Sequence, residues 1–125
     1  MHQIKSRLRR VLLVDDDESL RRALARAVRL AGFDVATFAS VEALIAHGMP
    51  ERDACLVLDV DLPGISGIAL KQALADANRD LPVIFITALD ARDVDAQLAR
   101  LEPVAVLYKP FEKGALLAAI ERASG

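Results

Sequence analysis

The sequence has few of the features that mark secreted, membrane or nucleic-acid-binding proteins. Its one cysteine, Cys55, excludes an internal disulfide and is typical of a protein in a reducing cytosol. No apolar run approaches the roughly 20 residues that cross a bilayer, and residues 1–10 lack the apolar stretch of a secretion signal. The formal charge is only −2, from 16 Lys and Arg against 18 Asp and Glu. This balance gives no electrostatic argument for binding nucleic acid or a membrane surface, so we expect a cytoplasmic protein that binds neither.

The composition is sufficient for one folded domain. Of the 125 residues, 54% are apolar and 27% are charged, which is typical of globular proteins and unlike disordered chains. At roughly 150 residues per domain, this length leaves no room for a second core. No internal repeat, linker or low-complexity stretch interrupts the sequence. We therefore expect a single domain over residues 1–125, with its core at about 10–123 and a short basic N-terminal arm.

Short apolar runs alternate with segments of helical periodicity. Continuous apolar runs predict strands buried on both faces, and they lie at residues 11–14, 54–58, 83–86 and 104–107. Residues 34–38 alternate polar and apolar side chains, which predicts a strand nearer an edge of the sheet. Apolar residues three or four apart predict helices near 20–31, 41–47, 66–77, 94–101 and 116–123. Five alternating strands and helices predict a doubly wound parallel α/β sheet covered on both faces.

Polar residues follow the apolar runs, at the strand ends where open α/β sheets bind ligands. They are Asp15, Asp16 and Asp17 after the first run, Asp59 and Asp61 after the third, Thr87 after the fourth, and Lys109 after the fifth. Each has an ordinary structural explanation: Asp17 or Thr87 could cap a helix, Asp59 could end a strand before a turn, and Lys109 could be a solvated charge. Clustered carboxylates repel one another, however, and persist together only where a cation or a function offsets the repulsion.

The chemistry of this group is specific. Several carboxylates without His or Cys beside them form the hard oxygen site that Mg²⁺ prefers, whereas His2, His47 and Cys55 are too scattered to suggest zinc. A lysine ammonium and a threonine hydroxyl can donate to phosphoryl oxygens. A carboxylate beside Mg²⁺ can attack phosphorus to give an acyl phosphate. No glycine loop of the P-loop type is present, so a nucleotide is not expected as the direct donor.

These residues resemble the receiver domain of bacterial two-component response regulators over nearly the whole chain. The resemblance is carried by residues 11–17, 56–67, 83–88 and 109–111, four segments in the right order at the right strand ends. It implies a flavodoxin-like fold of five parallel strands in the order 2-1-3-4-5 with five helices. It also implies Mg²⁺-dependent transfer of a phosphoryl group from a phosphohistidine to an aspartate. Such a domain is a signalling module that catalyses only its own phosphorylation and dephosphorylation.

The resemblance assigns roles to the acidic residues. Asp59 is expected to be the phosphoacceptor. Asp16 is expected to bind Mg²⁺ directly and Asp15 through water, and Asp59 and the backbone carbonyl of Asp61 are the other protein ligands. The Asp61 side chain occupies a variable position beside the phosphorylation site. It is either a surface turn acid or a group that controls how water reaches the acyl phosphate, and so the lifetime of the signal.

The resemblance also assigns the basic and switching residues. Lys109 is expected to contact the phosphoryl group, Thr87 to move towards it on activation, and the peptide before Pro110 to be cis. The aromatic switch residue that is usual three positions before the lysine is replaced by Val106. Tyr108 lies on the same side of the strand by alternation, so we hypothesise that it partly replaces the switch.

The expected partner is a sensor histidine kinase or a phosphotransfer protein that docks on the first helix and nearby loops. Leu20, Arg21 and Arg22 are candidate contacts, although a solvated helix face explains the arginines better. Relatives of this kind switch an output face made by the fourth helix, the fifth strand and the fifth helix, and this face could support a phosphorylation-dependent homodimer. A role in transcription regulation through an effector domain is compatible with the sequence.

Two other functions remain open. The sequence Asp59-Val60-Asp61 also resembles the first motif of haloacid-dehalogenase-type phosphatases, whose two acids are the nucleophile and the general acid. In those enzymes the remaining acidic pair follows the lysine, whereas Asp15 and Asp16 precede the nucleophile here. The second alternative is a degenerate receiver that only binds partners, which the presence of the complete set of site residues does not favour.

Overall fold

The chain forms one five-stranded sheet flanked by helices. A computed structural model describes residues 10–88 and 95–124. The strands are β1 (Arg10–Val14), β2 (Asp34–Phe38), β3 (Ala54–Asp59), β4 (Val83–Ala88) and β5 (Ala105–Lys109). The helices are α1 (Glu18–Leu30), α2 (Val41–His47), α3 (Gly67–Asp76), α4 (Asp95–Arg100) and α5 (Lys113–Ser124). All neighbouring strands are parallel, in the order β2-β1-β3-β4-β5. The predicted fold class and strand order are confirmed.

The burial of the strands follows their place in this order. Strand β3 is buried at every residue, and β2 lies at one edge with part of its side chains exposed, as its alternating pattern predicts. The prediction that residues 104–107 are buried on both faces is wrong, because β5 forms the other edge and all its residues are only half-buried. Its apolar run reflects two half-covered faces rather than a central position.

Apolar side chains of the sheet pack into one cluster on each face. The first includes Leu12, Leu56 and Phe85 of the sheet together with residues of α2, α3 and α4. The second includes Leu13 and Val57 together with residues of α1 and α5. Two helices cover one face and three the other, and because all the strands are parallel their carboxyl ends lie at a common edge.

Polar side chains cap the starts of three helices, and the cap at Asp17 is one of the ordinary explanations given for that residue. Asp17 caps α1, where its carboxylate accepts a hydrogen bond of 3.1 Å from the backbone N–H of Leu20. Ser40 caps α2 in the same way, with a hydrogen bond of 3.0 Å from Ala43 N. Ser66 is the cap of α3 rather than its first residue. The first residue of the fourth predicted helix, Val94, lies outside the described residues.

Gly67 allows α3 to begin directly against the end of β3. A Cβ atom at this position would lie 2.9 Å from Leu58 Cβ and 3.1 Å from the carbonyl oxygen of Asp59. Real side chains do not approach this closely, so a larger residue would displace α3 from the strand that carries Asp59. No helix of residues 10–88 and 95–124 is long and apolar enough to span a membrane.

Candidate functional site

Four strands bring their terminal polar residues together at the carboxyl edge of the sheet. Asp15 follows β1, Asp59 ends β3, Thr87 lies at the end of β4, and Lys109 ends β5. Asp15, Asp59 and Thr87 are 0%, 1% and 0% exposed, which is unusual for polar side chains. The pairing of β4 with β5 places Thr87 opposite Tyr108, and Ala88 opposite Lys109. The predicted convergence of these side chains is therefore present in the fold.

Lys109 bridges the two buried carboxylates. Its ammonium nitrogen lies 3.1 Å from Asp59 Oδ2 and 3.2 Å from Asp15 Oδ2. The ordinary explanation of Lys109 as a solvated surface charge is wrong, because its side chain is only 31% exposed and is committed to these two acids. Burial alone would lower the pKa of Lys109, but the hydrogen bond and charge of Asp59 and the charge of Asp15 raise it above its ordinary value. The lysine is therefore a fixed cation at neutral pH.

Both oxygens of Asp59 have protein donors. The backbone N–H of Asp61 donates to Asp59 Oδ1 at 2.8 Å, and Lys109 donates to Oδ2 at 3.1 Å. Burial raises the pKa of Asp59 above its ordinary value, and the nearby Asp15 charge adds to this increase. The hydrogen bonds from Asp61 and Lys109 lower the pKa but do not cancel the effect of burial. Asp59 is thus a buried carboxylate held in one orientation, and its two hydrogen bonds do not fully compensate for its burial.

Asp15 is only partly satisfied by the protein. Its Oδ1 accepts a hydrogen bond of 2.8 Å from Asp17 N, and its backbone carbonyl accepts one of 2.9 Å from the Arg21 guanidinium. Its Oδ2 is buried and makes no hydrogen bond among the described residues, although it lies at ion-pair distance from Lys109. A buried carboxylate oxygen without a hydrogen bond is costly unless another group approaches it.

The acidic residues fit a divalent cation. Asp15, Asp16 and Asp59 can each offer a carboxylate oxygen such that the three atoms lie within 4.8 Å of one another. Asp16 is exposed and the other two are buried, so the cluster opens to solvent on one side. All three donors are hard oxygens, the ligand type preferred by Mg²⁺. The three residues therefore fit a magnesium ion. Asp17 does not join them, because its carboxylate caps α1.

Thr87 supplies a hydroxyl group with no other role in the described structure. Its Oγ1 is buried and has no hydrogen-bond partner within residues 10–88 and 95–124. It lies one strand away from Asp59, since β3 and β4 are paired with Asp59 opposite Ile86. The Thr87 hydroxyl is therefore a buried donor without an acceptor among the described residues.

Comparison with known proteins decides the family. A family model described as response regulator receiver domain matches residues 11–121. The chain belongs to this family. Nodulation protein W of Bradyrhizobium diazoefficiens is 38% identical over 114 residues, which cover 91% of this chain and 50% of that protein. Transcriptional regulatory protein FixJ of Rhizobium meliloti is 35% identical over 114 residues, covering 91% of this chain and 56% of FixJ.

Solved structures give the same result. The response regulator StyR is 39% identical with a TM-score of 0.85, covering 94% of this chain and 59% of that one. The FixJ-N structure is 34% identical with a TM-score of 0.83, and 93% of each chain is covered. The receiver domain described here spans about half the length of the curated relatives it matches. It is a signalling domain of two-component systems. The match to the receiver family favours this function over that of a haloacid-dehalogenase-type phosphatase.

Two side-chain contacts around the receiver site were missing from the sequence predictions. Asp61 Oδ2 accepts a hydrogen bond of 3.0 Å from the backbone N–H of Ala88. The Tyr108 hydroxyl donates to Asp95 Oδ1 at 2.9 Å, and this hydrogen bond is the main reason why the pKa of Tyr108 is raised. Both contacts join residues that are more than ten positions apart, so no local motif could have indicated them. The peptide between Lys109 and Pro110 is cis, the isomer that the resemblance implies.

The α1 residues of the receiver differ from one another in environment. Arg21 holds the carbonyl of Asp15 and therefore orients the acidic loop. Arg22 is exposed and forms an ion pair of 3.1 Å with Glu18 on the same helix, as expected for a solvated helix face.

Val106, which replaces the usual aromatic residue, is half-buried in β5 and packs against the core cluster on the α2, α3 and α4 face.

Proposed function

We propose that this receiver domain stores a signal as an acyl phosphate on Asp59. The donor would be a phosphohistidine of a sensor kinase or of a phosphotransfer protein in the cytoplasm. The observation that carries the proposal is the contact of Lys109 with two buried carboxylates, Asp15 and Asp59. Burying two carboxylates beside a lysine is costly. A site that binds a cation and a phosphoryl group would explain why these three side chains lie together.

The chemistry follows from the position of Asp59. A carboxylate oxygen attacks the phosphorus atom, the new O–P bond forms, and the P–N bond to the donor imidazole breaks with its electron pair going to the imidazole nitrogen. The product is a mixed anhydride of the Asp59 carboxyl and phosphate. The signal ends by hydrolysis, in which water attacks phosphorus and releases inorganic phosphate together with the free carboxylate. Lys109 lies 3.1 Å from Asp59 Oδ2, so its charge can offset the negative charge that develops on the transferred oxygens.

The acidic cluster is proposed to hold Mg²⁺. The ligands would be Asp15, Asp16, Asp59 and the backbone carbonyl of Asp61, with Asp15 acting through water. A bound Mg²⁺ ion would offset the charge of the carboxylates and of the phosphoryl oxygens. The approach of carboxylate oxygens of Asp15, Asp16 and Asp59 to within 4.8 Å of one another supports this assignment.

Removing Mg²⁺ with a chelator is expected to slow phosphorylation by acetyl phosphate at least about 100-fold, since metal ions typically contribute several kcal/mol to such reactions. Asp16→Asn should show the same loss without unfolding, because Asp16 is exposed. The measurement is the phosphorylated fraction of intact protein against time. Asp17→Asn is the matched control, since asparagine caps a helix as well as aspartate does. Equal rates with and without the chelator would contradict the magnesium site.

Activation is proposed to pass from Thr87 to the α4–β5–α5 face. Thr87 would turn its hydroxyl, which has no hydrogen-bond partner within residues 10–88 and 95–124, towards the phosphoryl group. Tyr108 lies opposite Thr87 in the sheet and is bonded to Asp95 in the first turn of α4. Val106 provides no aromatic ring for the usual switch. We therefore assign to Tyr108 the coupling between the end of β4 and α4, with a phosphorylation-dependent homodimer as one output.

Tyr108→Phe should uncouple α4 from the site while leaving phosphorylation intact. The substitution removes only the hydroxyl that bonds to Asp95, and Asp95→Asn weakens the same hydrogen bond from the other side. Backbone NMR shifts of α4 and β5, recorded with and without beryllofluoride and Mg²⁺, measure the response. We expect a smaller response in both variants than in the wild type. A response of wild-type size in Tyr108→Phe would overturn the role of Tyr108.

The output of the full-length protein is proposed by analogy alone. Relatives named as transcriptional regulatory proteins extend beyond the receiver region, since it covers about half of their length. We propose that this domain likewise controls an effector, and that the receiver itself binds neither nucleic acid nor a membrane.

A further inference from the structure

The Asp61 carboxylate accepts a hydrogen bond from a backbone N–H at the edge of the proposed phosphorylation site. Its Oδ2 accepts a hydrogen bond of 3.0 Å from the N–H of Ala88, 27 positions away in the sequence. Ala88 ends β4 and directly follows Thr87, whereas Asp61 lies two residues after Asp59. The backbone N–H of Asp61 meanwhile holds Asp59 Oδ1 at 2.8 Å. One residue therefore contacts both the acceptor carboxylate and the end of the neighbouring strand.

The direction of the Ala88 N–H follows from the sheet. The carbonyl of Ile86 faces β3, where it accepts a hydrogen bond of 2.8 Å from Val60 N. Backbone groups two residues apart in a strand point to the same side, so the N–H of Ala88 faces β3 as the carbonyl of Ile86 does. At Ala88, however, β3 has already ended. Since β3 ends at Asp59, the Asp61 side chain bonds to Ala88 at this position.

The Ala88 N–H faces the strand that carries Asp59, so it lies on the side of β4 where a phosphoryl group would be added. The phosphoryl group would add three oxygen atoms at this edge, where the ammonium of Lys109 lies 3.1 Å from Asp59 Oδ2 and the buried hydroxyl of Thr87 lies at the end of the neighbouring strand. Among the described residues, the Ala88 N–H is a backbone donor at the end of β4, but the Asp61 carboxylate already accepts its hydrogen bond. A phosphoryl dianion and a carboxylate also repel each other at this range.

We propose that Asp61 is an internal competitor of the phosphoryl group for the Ala88 N–H. Phosphorylation then requires the carboxylate to release Ala88, and the carboxylate returns as the phosphoryl group leaves. Asp61 is a positioning residue in this scheme, since it acts through the Ala88 amide rather than on phosphorus. The inference rests on the proposed function of Asp59 as phosphoacceptor. It predicts a weaker phosphoryl site and a shorter-lived signal than the same fold would have without this acid.

The test uses beryllofluoride with Mg²⁺ as the probe and three variants of the whole chain. Asp61→Ala removes the acceptor and the charge, and Asp61→Asn keeps an acceptor oxygen without the charge. Asp34→Ala removes an equal charge from the exposed start of β2, opposite Arg10 at the amino edge of the sheet. One readout is the hydrogen exchange rate of the Ala88 amide without ligand, and the other is the dissociation constant of beryllofluoride by calorimetry.

Asp61→Ala should release the Ala88 amide to exchange and tighten beryllofluoride binding by roughly three- to tenfold, the range of one net hydrogen bond. Asp61→Asn should keep the amide protected and give a smaller gain, while Asp34→Ala should match the wild type. Unchanged exchange or unchanged affinity in Asp61→Ala would overturn the competition while leaving Asp59 as the acceptor. If beryllofluoride binds to none of the four proteins, the proposed function fails and the competition fails with it.

Discussion

The variant Lys109→Ala is expected to be about 2–3 kcal/mol less stable to unfolding than the wild type at pH 7 without metal. The substitution leaves Asp15 and Asp59 buried together without the ammonium that lies within 3.2 Å of both. Removing one partner of a fully buried ion pair costs more than this. The expectation is reduced because the Lys109 side chain is 31% exposed and partly screened by water. Urea denaturation of both proteins measures the difference.

The pH dependence of this penalty has a definite sign. The pKa of Asp59 is raised by burial, so Asp59 takes up a proton at a higher pH than an ordinary carboxyl group. Once protonated, Asp59 no longer needs the lysine charge, and the penalty of Lys109→Ala should shrink as the pH falls through the folded-state pKa of Asp59. Lys113→Ala removes an exposed lysine of α5 and serves as the control. A penalty that is equal in the two lysine variants, or that grows on acidification, would contradict the electrostatic assignment.

The variant Asp59→Asn is expected to lose phosphorylation completely and to gain stability. Asparagine has no carboxylate to attack phosphorus, so acetyl phosphate should give no acyl phosphate on this variant. The raised pKa of Asp59 means that its ionised form is disfavoured in the folded state. This destabilisation is present above the folded-state pKa and absent below the unfolded one, so the gain in stability should appear at neutral pH and vanish in acid. Urea denaturation at neutral and at acid pH measures this gain.

A second acidic residue gives the control for Asp59→Asn. Asp76 is exposed on α3, where it accepts a hydrogen bond from Gln72, and Asp76→Asn changes the net charge equally. It should be phosphorylated like the wild type and show no gain in stability. Undiminished phosphorylation of Asp59→Asn would transfer the acceptor role to another residue. A receiver that only binds partners would show no phosphorylation in the wild type either.

Much of the fold follows from local patterns in the sequence. The strand runs and the helix caps at Asp17 and Ser40 act over a few residues, so they are visible without a structure. The convergence of Asp15, Asp59, Thr87 and Lys109 could also be predicted, because parallel strands must end at a common edge. The half-buried state of β5 could not be predicted from its apolar run alone, since an edge strand and a central strand can have the same composition.

The side-chain contacts around the site could not be predicted from the sequence. The contacts of Asp61 with Ala88, of Tyr108 with Asp95 and of Arg21 with the Asp15 carbonyl depend on loop conformation and on the distance between elements. None of these pairs forms a spacing motif. The sequence marks Asp61 and Tyr108 because they depart from the family pattern, and the structure shows that their partners are Ala88 and Asp95.

The most direct test of the account is the identity of the modified side chain. Wild-type protein is incubated with acetyl phosphate and Mg²⁺, and its intact mass is then measured. Reduction with borohydride, which converts an aspartyl phosphate to homoserine, followed by peptide sequencing in a mass spectrometer locates the modified residue. We predict one adduct of about 80 Da on the intact protein and homoserine at position 59. Absence of the adduct, or homoserine at any other aspartate, would contradict the central claim.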